Sequence, residues 1–264
     1  LSGAAWRGVG GAGPLAAARL KWPCALPKIA ERTPGVELDL DETNAATASQ
    51  ATGARLLRGE ARLAGQRTVE FGGRPLQAKK AVIIASGAEP ATPSIPGLEG
   101  VEYWTNREAV MTPALPASLI VLGGGPVGVE LAQAFARFGT SVHVVEALDR
   151  LLPAEEPEAG NLLAGYFEKE SIGVTTSAHV ARVQKGGDGI RLTLASGEER
   201  SAERLLVATG RRPNRQGFGL AAPRVSTTEK GWLKIDTPTP GAGNRLRGAG
   251  PGTGPRCRPH TGRR

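Results

Sequence analysis

The stretch Leu119-Ile-Val-Leu-Gly-Gly-Gly-Pro-Val-Gly-Val-Glu-Leu131 determines the expected fold, because an apolar run passes through glycines into a helical pattern. Gly123, Gly125 and Gly128 have the spacing G-x-G-x-x-G. In this arrangement the first glycine permits a tight turn and the second lets the backbone approach a pyrophosphate. The third lets the helix pack closely on the strand. The spacing alone is weak evidence in a chain with 37 glycines, so the neighbouring residues decide whether it marks a dinucleotide-binding turn.

The residues around the glycines predict a strand, a turn and a helix. Leu119 to Leu122 is a short apolar run, and Pro126 has the φ angle that the first turn of a helix requires. Gly139 is placed to end the helix in the left-handed conformation. One face of the predicted helix is apolar at helical spacing. This face consists of Val127, Leu131, Ala134, Phe135 and Phe138.

A second predicted strand, Ser141 to Val145, ends on Glu146, which lies 18 residues after Gly128. A carboxylate at this position can accept hydrogen bonds from both ribose hydroxyls of an adenosine. It would repel a 2′-phosphate, so the sequence predicts NAD rather than NADP. Arg150 could offset the repulsion, although Asp149 beside it opposes that role. A glycine turn without any ligand is the alternative.

Composition and charge exclude several other classes of protein. The 264 residues have a formal net charge of +8, but residues 241–264 contain six arginines and no acid, and the remainder is only +2. The main part of the chain therefore gives no reason to expect a nucleic-acid or membrane partner. Cys24 and Cys257 form no disulfide framework or metal motif. No apolar run approaches the roughly 18 residues of a membrane span, so we expect a cytoplasmic protein.

Two further apolar strands end in a hydroxyl residue and glycine. The first, Ala81 to Ala85, is predicted to be fully buried and ends at Ser86 and Gly87. The second, Leu205 to Ala208, ends at Thr209 and Gly210. Between them a second helix is predicted, with Leu162, Leu163, Tyr166 and Phe167 on its buried face. The pattern predicts two related α/β domains and a disordered basic tail.

Four segments in this order resemble the pyridine nucleotide-disulfide oxidoreductases of the dihydrolipoyl dehydrogenase and mercuric reductase type. They are residues 82–90, the turn at 123–128, Glu146 and residues 205–214. The resemblance implies a Rossmann-like NAD(P)-binding domain, residues 113–236, inserted in an incomplete FAD-binding domain, residues 1–112. Residues 237–264 form the tail. It also implies an FAD- and NAD(P)-dependent oxidoreductase in which hydride passes from a nicotinamide to a flavin.

The turn and the resemblance together predict the cofactor-binding residues, but no catalytic residue and no metal ligand. Glu130 is included because the family often has an acid there facing the nicotinamide, although a solvated helix charge is an equal alternative. The predicted residues are Gly123, Gly125, Pro126, Val127, Gly128, Glu130, Glu146, Gly210, Ser86 and Gly87.

The chain also departs from the family pattern. It has no glycine turn for FAD ahead of residue 81 and no pair of redox cysteines, so we expect a chain truncated at both ends that does not retain FAD. The family is homodimeric, but its dimerisation domain is missing here. His260 lacks the acidic context of the family's interface histidine. The alternatives to the enzyme are an inactive dinucleotide-binding module and a non-functional gene fragment.

Overall fold

The computed structural model describes residues 43–187, 189–214, 216–234 and 247–248. These residues divide into two compact units. The first contains residues 43–53 and 90–210, and the second contains the described residues of 54–89 and 211–248. Cys24, Cys257 and His260 lie outside the described residues, as does the predicted tail apart from Arg247–Gly248.

The first unit alternates strands and helices around the glycine turn. Its helices are α1 (Thr43–Ala51), α2 (Asn106–Met111), α3 (Pro126–Arg137) and α4 (Pro157–Lys169), with a short 3₁₀ helix at Leu98–Gly100. Its strands are β6 (Ser118–Leu122), β7 (Ser141–Val145), β8 (Gly173–Thr175), β9 (Val180–Gly186), β10 (Gly189–Leu194), β11 (Glu199–Ala202) and β12 (Arg204–Val207).

Strands β12, β6, β7 and β8 form a parallel sheet in that order. Val121 pairs with Val144 on one side and with Leu206 on the other. The other three strands, β9 to β11, form a separate antiparallel sheet, in which Gly186 and Gly189 pair where β9 turns into β10. Because parallel strands need crossover connections, α3 and α4 follow β6 and β7 as the sequence predicts.

The parallel sheet is covered on both faces, which explains why its strands are continuously apolar. On one face, Val121, Val144 and Leu206 pack with Phe135 of α3 and Phe167 of α4. On the other face, side chains from the parallel sheet pack with the antiparallel one. The parallel sheet contributes Ile120, Leu122, Val145 and Leu205, and the antiparallel sheet contributes Val183, Ile190 and Leu192. The sequence-based prediction of an α/β fold with a Rossmann-like domain is confirmed.

Helix α3 ends as the sequence predicts. Gly139 has φ +105°, and its N–H donates to Ala136 O at 2.9 Å. The N–H of Thr140 donates to Phe135 O at 3.1 Å. These two bonds satisfy carbonyls that the end of a helix leaves without partners, in the Schellman arrangement. Leu131, Ala134 and Phe135 of the predicted face are buried.

The buried face of α4 differs from the prediction. Phe167 is fully buried and Leu163 packs on the core, but Leu162 is 63% exposed and Tyr166 is 50% exposed. Gly160, Leu163 and Phe167 follow the helical spacing of three and four residues, and they define the side of α4 that faces the sheet. Leu162 and Tyr166 lie one residue before these positions and point away from it.

The second unit contains shorter strands. They are β1 (Ala61–Gly65), β2 (Thr68–Phe71), β3 (Arg74–Gln77), β4 (Ile83–Ile84), β5 (Ala88–Pro90), β13 (Arg211–Pro213) and β14 (Arg247–Gly248). The prediction of a fully buried strand at Ala81 to Ala85 is wrong, because Ile83 is 79% exposed. Only Ile83 and Ile84 are paired, and the described strand beside them is β14.

The unit that holds the glycine turn begins ahead of the predicted domain start at residue 113. Trp104 lies on the edge of the parallel sheet, where its N–H donates to Leu205 O at 2.7 Å. Its carbonyl accepts from the N–H of Val207 at 2.8 Å. These bonds attach the preceding segment to β12. No helix among the described residues is both long and apolar enough to cross a membrane.

The difference between the two faces of α4 gives a stability test. Phe167→Ala removes a fully buried ring and leaves a cavity, so it should lower the free energy of unfolding by about 3 to 5 kcal/mol. Leu162→Ala, on the exposed face of the same helix, should change it by less than about 0.5 kcal/mol. Urea unfolding followed by circular dichroism measures both. Equal losses would contradict the observed orientation of α4.

Candidate functional site

The glycine turn joins β6 to α3 through two backbone contacts that exclude side chains. Gly123 has φ +113°, and a Cβ there would lie 2.5 Å from Ala208 O. A Cβ on Gly128 would collide with the carbonyl oxygen of Gly123. The N–H of Gly123 also donates to Val145 O at 2.8 Å. The first and third glycines of the motif are therefore required by the packing of the fold itself.

Nothing in the described part of the chain requires a glycine at position 125. It has φ −75° and ψ 177°, which any residue adopts, and a Cβ there would have no neighbour within 4 Å. It is the N-cap of α3, and Pro126 follows as the first residue of the helix. The first N–H groups of a helix have no acceptor within it and favour an anion. A pyrophosphate would need such an open space beside a helix N-terminus, and its binding here stays a prediction.

Glu146 lies directly after β7 and is only 7% exposed. Its Oε2 accepts a hydrogen bond from the N–H of Gly124 at 2.5 Å, and its Oε1 accepts from the N–H of Leu148 at 2.8 Å. Its backbone is fixed as well, because its N–H donates to Thr175 O and its carbonyl accepts from Ala178. The carboxylate is thus held at the glycine turn, where the motif predicts it.

The guanidinium of Arg150 is held by two groups of its own loop. Its Nη2 donates to Pro153 O at 3.0 Å, and its Nη1 lies 3.4 Å from Asp149 Oδ1. Asp149 is exposed, so this ion pair is weak. The Nε atom of Arg150 is buried without a hydrogen-bond partner among the described residues. The guanidinium is therefore tethered to the loop that follows Glu146.

Gly124, Leu151 and Leu152 belong to the site although the G-x-G-x-x-G spacing does not specify them. Gly124 occupies a position that the motif leaves open, yet a Cβ there would lie 2.7 Å from Leu151 Cδ2 and 3.1 Å from Glu146 Oε2. Leu152 has φ +49°, and its N–H donates to Gly124 O at 2.8 Å. The run of three successive glycines is the one sequence feature that could have indicated this crowding.

Val127 and Glu130 line an open groove of about 290 Å³ between α2 and α3. Glu130 is exposed, and Val127 is half-buried. The other lining residues are Asn106, Val110, Leu131, Gln133, Ala134 and Arg137. Glu130 is therefore accessible to a ligand, while its role toward a nicotinamide stays a prediction.

Ser86 and Gly87 belong to the second unit, and Gly210 is the last residue of the first unit. Ser86 Oγ donates to Asn214 O at 3.1 Å, and Asn214 Nδ2 donates to Ser86 O at 3.1 Å. Gly87, at φ +71°, accepts from the N–H of Asn214 at 3.3 Å. In the other unit, Gly210 accepts from the N–H of Ala91 at 2.9 Å. Cofactor binding by these three residues stays a prediction.

His143 is a packed residue of β7. Its Nε2 lies 2.8 Å from Thr175 Oγ1, and a Cβ on Gly173 would collide with its ring. Burial lowers the pKa of His143, Arg200 lowers it further, and Glu198 acts in the opposite direction. The imidazole is thus neutral at pH 7. Among the described residues, no group of histidine, cysteine and acidic side chains could hold a metal ion.

Comparison with known proteins identifies similar chains. Residues 10–239 match the model of the family "Pyridine nucleotide-disulphide oxidoreductase". The mercuric reductase of Shigella flexneri is 40% identical over 189 residues, which is 69% of this chain and 33% of that protein. The dihydrolipoyl dehydrogenase of Thermus scotoductus is 36% identical over 188 residues, 69% of this chain and 40% of that protein. The matched part of the chain spans 33% to 40% of the length of these relatives.

Solved structures with the same fold are also found. The HOCl-induced flavoprotein disulfide reductase RclA from Escherichia coli has a TM-score of 0.71 at 23% identity, over 86% of this chain and 52% of that one. LpdA from Mycobacterium tuberculosis has a TM-score of 0.67 at 24% identity, over 83% of this chain and 49% of that one. At these identities the likeness concerns the fold alone.

The glycines of the turn should differ in their effect on stability. Gly128→Ala places a methyl group against the carbonyl of Gly123, so it should lower the midpoint of thermal unfolding by several degrees. Gly125→Ala places the methyl group in open space at an ordinary φ, so the midpoint should stay the same or rise slightly. Differential scanning calorimetry of both variants checks this. A stability loss at Gly125 would show that the space beside it is filled.

Proposed function

The chain belongs to the pyridine nucleotide-disulphide oxidoreductase family, and we propose that its first compact unit binds NAD(H) at the turn between β6 and α3. In the whole protein, the bound nicotinamide would deliver hydride to a flavin. We place this protein in the cytoplasm.

The observation that carries the proposal is the open space at Gly125. Contacts within the fold explain Gly123 and Gly128, whereas none of the described residues gives Gly125 a reason to lack a side chain. A pyrophosphate approaching the N-terminus of α3 would supply that reason, because a Cβ would occupy its place. One dinucleotide would then account for the G-x-G-x-x-G spacing, the open N-terminus of α3 and the carboxylate of Glu146.

Each residue of the turn has a distinct task in this proposal. Gly123 and Gly128 set the close contact between strand and helix, and Gly125 leaves room for the pyrophosphate. Pro126 starts α3 without needing an acceptor for an N–H. Val127 supplies one of the N–H groups at the end of the helix. Glu130 lies one turn further along the exposed side, where it can approach the nicotinamide half.

Glu146 would orient the adenosine ribose. Both of its oxygens already accept one backbone N–H, and each retains a further lone pair for a ribose hydroxyl. A 2′-phosphate would instead bring a second negative charge against a nearly buried carboxylate. Arg150 is the neighbouring cation that could compensate, but it is held by Pro153 O and Asp149. These contacts favour NAD(H) over NADP(H).

The nicotinamide supplies the hydride chemistry when it is bound, and the protein supplies binding and orientation. Within this chain, Cys24 and Cys257 are the only cysteines, and they do not form the closely spaced pair of a disulfide reductase. This favours a second candidate function, a dinucleotide-binding module without turnover. Flavin absorbance in the purified chain distinguishes the two, since a module without turnover needs no flavin. We expect no stoichiometric FAD.

The first binding prediction concerns the pyrophosphate. Gly125→Ala should weaken NADH binding by at least tenfold, because its methyl group would occupy the phosphate position. Isothermal titration calorimetry with the folded variant measures the loss. Leu162→Ala on the exposed face of α4 is the matched control and should bind as the wild type does. A Gly125→Ala protein with wild-type affinity would place the ligand elsewhere.

The second binding prediction concerns the ribose. The wild-type chain should bind NADH more tightly than NADPH, and Glu146→Ala should narrow the ratio of the two dissociation constants. A general disordering of the turn would weaken the binding of both cofactors equally and would leave this ratio unchanged. Arg150→Ala should leave the ratio unchanged, because the guanidinium is tethered within the loop. A preference for NADPH in the wild type would disprove the assignment of Glu146.

A further inference from the structure

We propose that Glu146 is also a positioning residue for the phosphate turn, so that it contributes to pyrophosphate binding independently of the ribose. This inference rests on the proposed function of the glycine turn. It goes beyond it, because a carboxylate that recognises only ribose hydroxyls would have no effect on a ligand that lacks them. The central observation is the hydrogen bond from the N–H of Gly124 to Glu146 Oε2, at 2.5 Å.

Two hydrogen bonds and the lack of space for a Cβ fix the backbone of Gly124. Its N–H is bound by Glu146, and its carbonyl accepts from the N–H of Leu152 at 2.8 Å. The space where its Cβ would lie is taken by Leu151 Cδ2 and by the side chain of Glu146. Both hydrogen bonds come from the segment that follows β7. This segment therefore fixes the orientation of the peptide groups around Gly124, the residue just before Gly125.

The segment can act as a fixed support because it is itself anchored to the sheet. The N–H of Glu146 donates to Thr175 O at 2.9 Å, and its carbonyl accepts from Ala178 at 2.9 Å. Oε1 accepts from Leu148, and Leu151 is buried against the core with Gly160 of α4 in close contact with its carbonyl. A charged acceptor makes a stronger hydrogen bond than a neutral one, particularly where water is largely excluded.

Loss of this support should disorganise the turn. Without the carboxylate, the buried N–H of Gly124 has lost its acceptor, and the turn must move to find another. The N–H groups beyond Gly125 would then no longer converge on one position, and binding would include the cost of ordering them. The negative charge of Glu146 makes it possible to distinguish positioning from a direct electrostatic effect on the ligand. Removing a negative charge near a pyrophosphate would by itself strengthen binding, so weaker binding identifies the lost support.

The test uses NAD and its analogue with a 2′,3′-dideoxyadenosine ribose, which has no hydroxyl for Glu146. Calorimetric titration of the full chain compares the wild type with Glu146→Ala. If Glu146 positions the turn, the variant should bind the dideoxy analogue about tenfold more weakly than the wild type does. If Glu146 acts on the ribose alone, the two proteins will bind the analogue equally. Equal or tighter binding by the variant overturns the inference and leaves the proposed function intact.

Two further variants separate positioning from general instability. Phe167→Leu alters the core of the same unit away from the turn, and its folded form should bind the dideoxy analogue with wild-type affinity. Glu146→Gln keeps the side-chain volume if Glu146→Ala fails to fold. Its amide oxygen can serve only one of the two N–H groups, so the analogue should again bind more weakly, and wild-type affinity would refute the positioning role. A wild-type chain that binds neither dinucleotide disproves the proposed function and this inference with it.

Discussion

Helix α3 lies against β6 with no side chain between them at Gly128, whose Cα approaches the carbonyl oxygen of Gly123. This contact is the constraint on which the rest of the first unit depends. It sets the direction in which α3 leaves the sheet, and with it the position of the helix N-terminus. A methyl group at Gly128 would force β6 and α3 apart. The fold and the position of the glycine turn therefore depend on the same close contact.

The contact is maintained by burial on both faces of the parallel sheet. Val121 and Val144 face the two helices, while Ile120 and Val145 face the antiparallel sheet. Neither face of β6 or β7 can shift without exposing apolar surface, at a cost of about 25 cal/mol for each Å². The glycine turn at the end of β6 is thereby fixed to a rigid support. Loops that bind ligands are commonly held on rigid elements in this way.

Glu146 connects the two parts of the site. Its backbone continues β7 at the carboxyl end of the strand, and its carboxylate accepts a hydrogen bond from the N–H of Gly124 in the turn. A buried carboxylate is tolerated here because backbone donors satisfy it. The lone pairs that remain on its oxygens are available to a ribose. In the proposed site, one residue therefore links the choice of cofactor to the geometry of the phosphate turn.

The sequence by itself determined the order of strand, turn, helix and second strand, and the glycine cap of α3. It could do so because local periodicity and backbone constraints act over a few residues: Pro126 and Gly139 mark the helix ends, and the run from Leu119 to Leu122 can only be buried. The position of Glu146 followed from the same motif, which places an acid at the end of the second strand. The family resemblance was carried by the same residues, and comparison with known proteins confirmed it.

Other features depended on tertiary structure. Leu162 and Phe167 are both apolar, and only the direction of the sheet decides that one is exposed and the other buried. Ile83 lies in an apolar run and belongs to a paired strand, yet it is exposed, because backbone pairing does not by itself bury a side chain. Gly124 and Leu152 belong to no motif, and they became part of the site because the chain returns to the turn after β7. Such contacts depend on how distant segments are brought together, which the spacing of residues along the chain does not specify.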